Sequence, residues 1–189
     1  MNLGQMTLVV AALMLLGILV LNTNKTLLST NDTQNTSEFG ITAVSLATSL
    51  VEEANGKMFD EVVADSTTGA LTAPSQLSPA LGPNGSEAYR DPVHDFNDFD
   101  DFNGLFLVYK SPLDSAVTAG ATKEFTMPGI RAKYLVRVRV EWVNPTAANS
   151  YNIDAVVVTK TWHKKLTVTV TSPSMTDTLT YPSIMSYWN

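Results

Sequence analysis

The chain opens with a nearly continuous run of apolar side chains. The run Met6–Leu21 contains one polar side chain, Thr7, and the first charged residue is Lys25. A helix that starts at Leu3 and covers this run reaches roughly 30 Å, the thickness of the hydrocarbon core of a bilayer. A helix that is apolar on every side is not stable in water. The pattern therefore predicts a helix that lies in lipid, acts as an export signal, or packs against copies of itself.

The run lacks the usual features of a signal peptide that is removed after export. No lysine or arginine precedes it, and it ends in Val20-Leu21-Asn22-Thr23-Asn24 without a small-residue cleavage site. A cleaved signal peptide normally has both a basic start and such a site. We therefore expect the apolar helix to be retained, and we assign residues 1–25 to it.

Residues 26–65 predict a polar connector followed by an amphipathic helix. The stretch from Asn22 to Ser37 is rich in Asn and Thr, which have low helix propensity. This stretch is either a frayed connector or part of one continuous helix. Beyond it, apolar residues recur at spacings of three and four, which predicts a helix with one buried face. These residues are Ile41, Val44, Ala47, Leu50, Val51, Ala54, Met58 and Val62.

The last two segments predict an irregular loop and a sheet. Residues 66–104 contain several Gly and Pro turn signals and an acidic cluster. Residues 105–189 alternate between apolar and polar positions, which predicts an antiparallel sheet with one buried face. The predicted strands are Leu105–Lys110, Lys133–Val143, Ile153–His163, Lys165–Thr171 and Thr176–Trp188. With the amphipathic helix as the cover of the buried face, the predicted fold class is α+β.

Composition excludes several classes of function. Among 189 residues, 18 Asp and Glu outnumber 12 Lys and Arg, so the net charge of −6 disfavours nucleic acid as a partner. The absence of cysteine excludes disulfides, thiolate metal sites and cysteine nucleophiles. The two histidines, His94 and His163, lie in no nucleophile, phosphate-loop or zinc-site pattern. We therefore expect that the protein is not an enzyme.

The acidic cluster has two interpretations. Oxygen ligands close together in a loop before a glycine are what Ca²⁺ prefers, although the EF-hand spacing is not met. The candidate ligands are Asp95, Asp98, Asp100, Asp101 and Asn103. In the other interpretation the loop is solvated, and Phe96, Phe99 and Phe102 anchor it to the core. We expect either no cofactor or a calcium ion here.

Charges are unevenly distributed between the middle of the chain and the strands. The alternation of Lys133–Val143 predicts that Arg137 and Arg139 point away from the helix-covered face. Lys164 and Lys165 also belong to the basic strands. A basic outer sheet could meet the acidic loop of another copy, and such a head-to-tail contact propagates into an open helical polymer.

The order of these segments resembles type IV pilins and the pseudopilins of type II secretion. The stretch Gly4-Gln5-Met6-Thr7-Leu8 is similar to a short class III leader, with Gly4 before the cut and Gln5 after it. The chain departs from the family pattern at Val9, where the family usually has Glu. It also lacks a basic residue in the leader and the cysteine pair near the C-terminus. Because major pseudopilins can use calcium in place of a disulfide, the resemblance gives the acidic cluster a role.

The resemblance implies a structural subunit of an extracellular pilus-like filament. Its helices would lie in the inner membrane before assembly and then pack as a central bundle of many copies. The apolar side chains expected in that assembly core are Leu8, Leu13, Leu16 and Leu19. The alternative is a monomeric, membrane-anchored periplasmic or surface β-domain with a binding role.

Overall fold

One uninterrupted helix forms the first third of the chain. A computed structural model describes residues 2–64, 70–84, 96–145 and 155–188. Its helix α1 spans Leu3–Asn55, so the polar stretch after the apolar run is helical. Thr23, Thr26 and Thr30 each donate a side-chain hydrogen bond of 2.9–3.0 Å to the carbonyl four residues earlier. These bonds satisfy the hydroxyls within the helix and reduce the conflict between Thr and helical structure.

The chain divides into two compact units, Met1–Gly40 and Ile41–Asn189. In the first unit the apolar side chains of α1 are exposed. An 18-residue window of the helix has a mean hydropathy of 2.3 and no buried residue. By length and composition, α1 is apolar enough to cross a membrane, and it could serve as a membrane anchor or a signal sequence.

The second unit contains a five-stranded sheet. The strands are β1 (Phe106–Lys110), β2 (Lys123–Thr126), β3 (Tyr134–Trp142), β4 (His163–Thr171) and β5 (Leu179–Ser186). Their order is β2-β1-β3-β4-β5, and all neighbours are antiparallel except β1 and β2. A short helix α2 (Glu61–Ala64) and 3₁₀ turns at Pro74–Gln76 and Asp100–Phe102 lie between α1 and the sheet in the chain. The α+β class with an N-terminal helix packed on a C-terminal sheet is confirmed.

Two features of the sheet differ from the sequence prediction. The parallel edge strand β2 was not predicted, because four residues are too few to show alternation. The predicted strand Ile153–His163 is wrong for residues 155–162, which contain only a single bridge between Val156 and Val143. Because β3 and β4 pair directly with each other, this segment belongs to the connection between them and is not a strand of the sheet.

The buried face of α1 matches the predicted stripe in its second half and departs from it at the ends. The buried residues of α1 are Ala43, Ala47, Leu50, Val51 and Ala54, and all of these except Ala43 were predicted. In contrast, Ile41 and Val44 are 68% and 45% exposed, and Met58 lies beyond the helix and is 55% exposed. Three of the five buried positions are therefore Ala, while two of the larger aliphatic residues on the predicted stripe are exposed.

Aromatic residues form a second part of the core, near the end of α1. Phe59, Leu71, Leu77 and Trp142 form a buried cluster, with Tyr187 and other partly buried residues packed against it. The Phe59 and Tyr187 rings lie 5.7 Å apart. This cluster forms one wall of the candidate site described below.

The complete burial of Ala47 in α1 predicts a limit on the size of the side chain at this position. Replacing Ala47 with Leu should lower the free energy of unfolding by about 1–3 kcal/mol, because the added atoms have no space. The same substitution at the exposed Ser49 is the matched control and should have little effect. Chemical unfolding of the full chain in detergent micelles, followed by tryptophan fluorescence, measures both variants. Equal stability of the two variants would contradict this packing.

Candidate functional site

A lysine in β4 is completely buried. Lys164 lies on the same face of β4 as the buried Leu166, Val168 and Val170, because side chains alternate between the two faces of a strand. Its side chain therefore points toward the core. The Lys164 Nζ atom donates to the carbonyl oxygen of Phe59 at 2.7 Å and to Asp60 Oδ2 at 2.8 Å. It also contacts Asp100 Oδ1 directly. These three acceptors match the three donors of an ammonium group.

Asp60 is held in place from two sides. It follows the aromatic Phe59 at the start of the segment after α1, and it is fully buried. While its Oδ2 atom accepts from Lys164, its Oδ1 atom accepts from the Ser78 backbone N–H at 2.9 Å and the Ser78 hydroxyl at 2.7 Å. Burial acts to raise the pKa of Asp60, but the Lys164 charge and these hydrogen bonds outweigh it, and the pKa is lowered.

Asp100 begins the 3₁₀ turn and brings the acidic loop to the lysine. Its Oδ2 atom accepts a hydrogen bond of 3.3 Å from the Gly82 N–H. Gly82 has φ of 128°, a conformation that glycine adopts at little cost and other residues rarely adopt. Burial raises the pKa of Asp100 above its ordinary value, although the neighbouring Lys164 charge opposes the shift. The carboxyl group therefore lies between a cation and a backbone donor, away from water.

Asp98 and Asp101 stabilise the turn itself. Asp98 Oδ1 accepts from the backbone N–H groups of Asp100 and Asp101 at 2.8 and 3.1 Å. Asp101 Oδ2 accepts from those of Asn97 and Asp98 at 3.0 and 3.1 Å. The second oxygens, Asp98 Oδ2 and Asp101 Oδ1, are buried and have no hydrogen-bond partner among the described residues. Burial, together with the charges of Asp100 and Asp101, raises the pKa of Asp98 to about 8.

The predicted calcium ligands therefore have several different surroundings. Asp100 binds Lys164, and Asn103 uses its side chain to link Val140 N–H at 3.0 Å with the Leu81 carbonyl at 3.1 Å. Asp95, like His94, lies outside the described residues. Within residues 2–64, 70–84, 96–145 and 155–188, no three acidic or histidine side chains are arranged to hold a metal ion. Calcium binding remains a prediction.

The solvated-loop interpretation of the acidic cluster is wrong for three of its aspartates, but it is right that the phenylalanines anchor the loop to the core. Asp98, Asp100 and Asp101 are completely buried, so they are not solvated. Phe96, Phe99 and Phe102 are buried as predicted, and the Phe96 and Phe102 rings meet edge to face at 5.0 Å. The aromatic anchors therefore draw the intervening acids into the core with them.

The predicted contact between a basic sheet and an acidic loop also needs correction. Arg137 and Arg139 are exposed on the outer face, as expected. The Arg137 guanidinium lies 3.7 Å from the centre of the Phe106 ring, and Arg139 pairs with Glu141 at 2.7 Å. Lys164, however, points inward, and the buried aspartates cannot reach another copy. His163, expected at the surface, is half-buried and bonds to Ser186 Oγ at 2.7 Å.

Sequence reasoning missed Lys164 and Asp60 as partners. The signal for Lys164 was its register with the inward positions of β4, but the run His163-Lys164-Lys165 reads as a solvated basic patch. Because Lys164 and Asp60 lie 104 positions apart in the chain, local periodicity contains no information about their pairing.

The other predicted residues lie in the first unit. Gly4 and Gln5 are in the first turn of α1, where the Gln5 N–H donates to the Asn2 carbonyl at 2.8 Å. Leu8, Leu13, Leu16 and Leu19 are 56–73% exposed. The molecule thus offers two candidate features, an exposed apolar helix surface and a buried charged cluster.

Searches against family models, curated proteins and solved structures found no match to this chain. Function is therefore inferred from these two features and from the physical chemistry of their residues.

The Asp98 carboxyl predicts an unusual dependence of stability on pH. Its folded pKa of about 8 exceeds its ordinary value of 3.8, so the folded state retains a proton that the unfolded state loses. Stability should therefore fall as pH rises between about pH 5 and pH 8. Asp98→Asn keeps an acceptor oxygen but cannot ionise, so this fall should become smaller. Urea unfolding at several pH values measures it, with the exposed Asp177→Asn as the control for lost charge. Equal slopes in Asp98→Asn and wild type would contradict the assignment.

The calcium hypothesis makes a separate prediction about thermal unfolding. An ion that binds only the folded loop stabilises the protein by mass action. A chelator should lower the Tm of the full chain in detergent, and added Ca²⁺ should restore it. Asp101→Asn should weaken the response, because the replaced oxygen is one of the two without a partner. The absence of a Tm shift on either treatment would exclude a stabilising calcium site.

Proposed function

We propose that the protein is a structural subunit of an extracellular, pilus-like filament assembled through its N-terminal helices. Before assembly, the apolar part of α1 would anchor the chain in a membrane. In the filament, the helices of many copies would pack into a shared core, and the sheet units would lie outside that core. Leu8, Leu13, Leu16 and Leu19 would then contact neighbouring helices.

One observation supports an assembly role over a simple anchor. Exposed apolar side chains of α1 continue beyond Lys25, the first charge, where a bilayer span would end. Leu27 and Leu28 are 59% and 66% exposed, and Ile41 remains 68% exposed further along the helix. A membrane anchor has no use for these side chains, whereas neighbouring helices would cover them.

The energetics of such a transfer favour reversible assembly. A helix that moves from lipid to a dry bundle exchanges one apolar environment for another, so the hydrophobic free energy changes little. Packing between helices and contacts between outer units then decide the equilibrium. An uncharged helix is suited to this exchange, because a charge would be costly in both environments.

The second candidate is a monomeric, membrane-anchored domain with a binding role. The anchor would be the same helix, and the exposed outer face of the sheet at Arg137 and Arg139 would be the binding surface. This candidate needs no contact between the helices of different copies. The two proposed functions therefore differ in one respect. Only the filament requires residues of α1 outside the membrane span to contact other copies.

Two substitutions in α1 separate these functions. Leu13→Asp places a charge in the apolar run and should abolish filaments and weaken membrane insertion. Ile41→Glu lies outside that run, so it should leave insertion unchanged and abolish or strongly shorten filaments. Thr36→Asp and Thr36→Glu add the same charges at one exposed polar position on the other side of the same helix from Leu13 and Ile41, and serve as matched controls. Electron microscopy after detergent removal detects filaments, and extraction of membranes with carbonate measures insertion.

The outcomes of this experiment are distinct. Filaments that persist in Leu13→Asp would rule out the helix as the assembly core. A wild-type chain that stays monomeric and membrane-bound after detergent removal would favour the anchored domain. Normal filaments in Ile41→Glu would restrict the interface to the apolar run.

A further inference from the structure

The buried cluster places an amine against a carboxyl carbon in a site without water. The side chains of Lys164 and Asp100 are both fully buried, and Lys164 Nζ contacts Asp100 Oδ1. The side chain of Asp60, also fully buried, approaches the same nitrogen at 2.8 Å. In this arrangement Lys164 can supply a nucleophilic nitrogen, Asp100 an acyl carbon and Asp60 a general base. An ordinary ion pair does not need a second buried carboxylate on its nitrogen.

We propose that Lys164 and Asp100 become joined by an intramolecular isopeptide bond between Nζ of the lysine and Cγ of the aspartate. The reaction needs no other protein or cofactor, because the fold itself brings the reacting groups together. This inference concerns the second unit alone and is independent of the filament proposal.

The reaction balances with the groups present. A proton passes from the Lys164 ammonium to Asp100 Oδ1, which gives a neutral amine and a neutral carboxylic acid. The nitrogen lone pair attacks Cγ, and the carbonyl electron pair moves onto Asp100 Oδ2. Asp60 takes a proton from the nitrogen and gives it to Oδ1, which leaves as water when the Cγ–Oδ1 bond breaks. One amide and one water molecule are formed, and Asp60 is recovered as a carboxylate.

The surroundings provide the remaining requirements. The Gly82 N–H donates to Asp100 Oδ2 at 3.3 Å, so a hydrogen bond faces the oxygen on which negative charge develops. The rings of Phe59 and Trp142 lie 4.6 and 4.9 Å from Lys164 Nζ. These rings take the place of water around the lysine nitrogen and exclude the water that would hydrolyse the amide.

A second lysine pair in the same chain offers an internal comparison. Lys110 Nζ lies 2.5 Å from Glu124 Oε2, but these side chains are 8% and 20% exposed. Water can reach this pair, so the two groups are not held in the dry surroundings in which an amide would form and persist. Both pairs are in close contact, but of the two only the Lys164–Asp100 pair is completely buried.

The bond would provide a covalent connection in a chain without cysteine. Lys164 and Asp100 are 64 positions apart, so the amide would close a long loop and join β4 to the turn before β1. A link across a long loop restricts the unfolded chain, as a disulfide does. Unlike a disulfide, this link would persist in reducing conditions.

Mass spectrometry of the denatured full chain tests the proposal. The expected mass is lower than the sequence mass by one water molecule, and protease digestion should yield a branched peptide that contains both Lys164 and Asp100. In the same digest, Lys110 and Glu124 should be in unlinked peptides. The full sequence mass, with Lys164 open to an amine-reactive reagent after denaturation, would overturn the proposal.

Three variants identify the chemistry. Asp100→Asn should form the same amide with loss of ammonia, so its product should have the same mass as the wild-type product. Asp60→Asn should keep its full mass, since the proton carrier is removed, and tryptophan fluorescence checks that it folds. Lys164→Met cannot react and gives the reference mass. Two results would overturn the assigned bond. The first is a Lys164→Met chain whose mass is lower than its sequence mass by one water molecule. The second is an Asp100→Asn chain that has native fluorescence but keeps its full mass.

Discussion

Until Lys164 and Asp100 react, the charge of Lys164 is the constraint on which the folding of the second unit depends. An ammonium group without water is strongly destabilising unless acceptors replace its hydration shell. Asp60, Asp100 and the Phe59 carbonyl provide them, and each comes from a segment without regular strand structure. The segment after α1, the turn before β1 and strand β4 are therefore held together by one nitrogen. Removal of either carboxylate would leave a buried charge only partly compensated.

The two units of the chain solve opposite physical problems. In Met1–Gly40 an apolar surface is exposed and needs an apolar environment from outside the molecule. In Ile41–Asn189, Lys164, Asp60 and Asp100 are buried and receive their partners from within. A bilayer could provide the environment that the first unit needs, whereas the Lys164 cluster is completed by its own chain. This difference explains why helix contacts, and not the acidic loop, are the basis of the proposed assembly.

Periodicity predicted the parts of the fold that follow a repeating rule. The α+β class, the inward Val136, Val138 and Val140 of β3, and the aromatic anchors of the acidic loop follow from local patterns. The parallel strand β2 and the Lys164 cluster depend on contacts between distant segments, which no local pattern contains. The spacing of apolar residues located Ala47, Leu50, Val51 and Ala54 correctly but also selected Ile41 and Val44, because periodicity does not show where along a helix its burial begins. The solvated-loop interpretation failed at Asp98 because charge alone does not indicate exposure.

The long separation between Lys164 and its aspartates has a consequence for the order of folding during synthesis. Residues 60–101 leave the ribosome well before residue 164, so the acids have no internal cation while most of the chain is being made. During that period their mutual repulsion and their hydration oppose burial of the turn. The apolar run, in contrast, precedes these acids in the chain, so it can enter a membrane before residue 164 is made. Membrane insertion can therefore precede the closing of the domain core, which must wait for the penultimate strand.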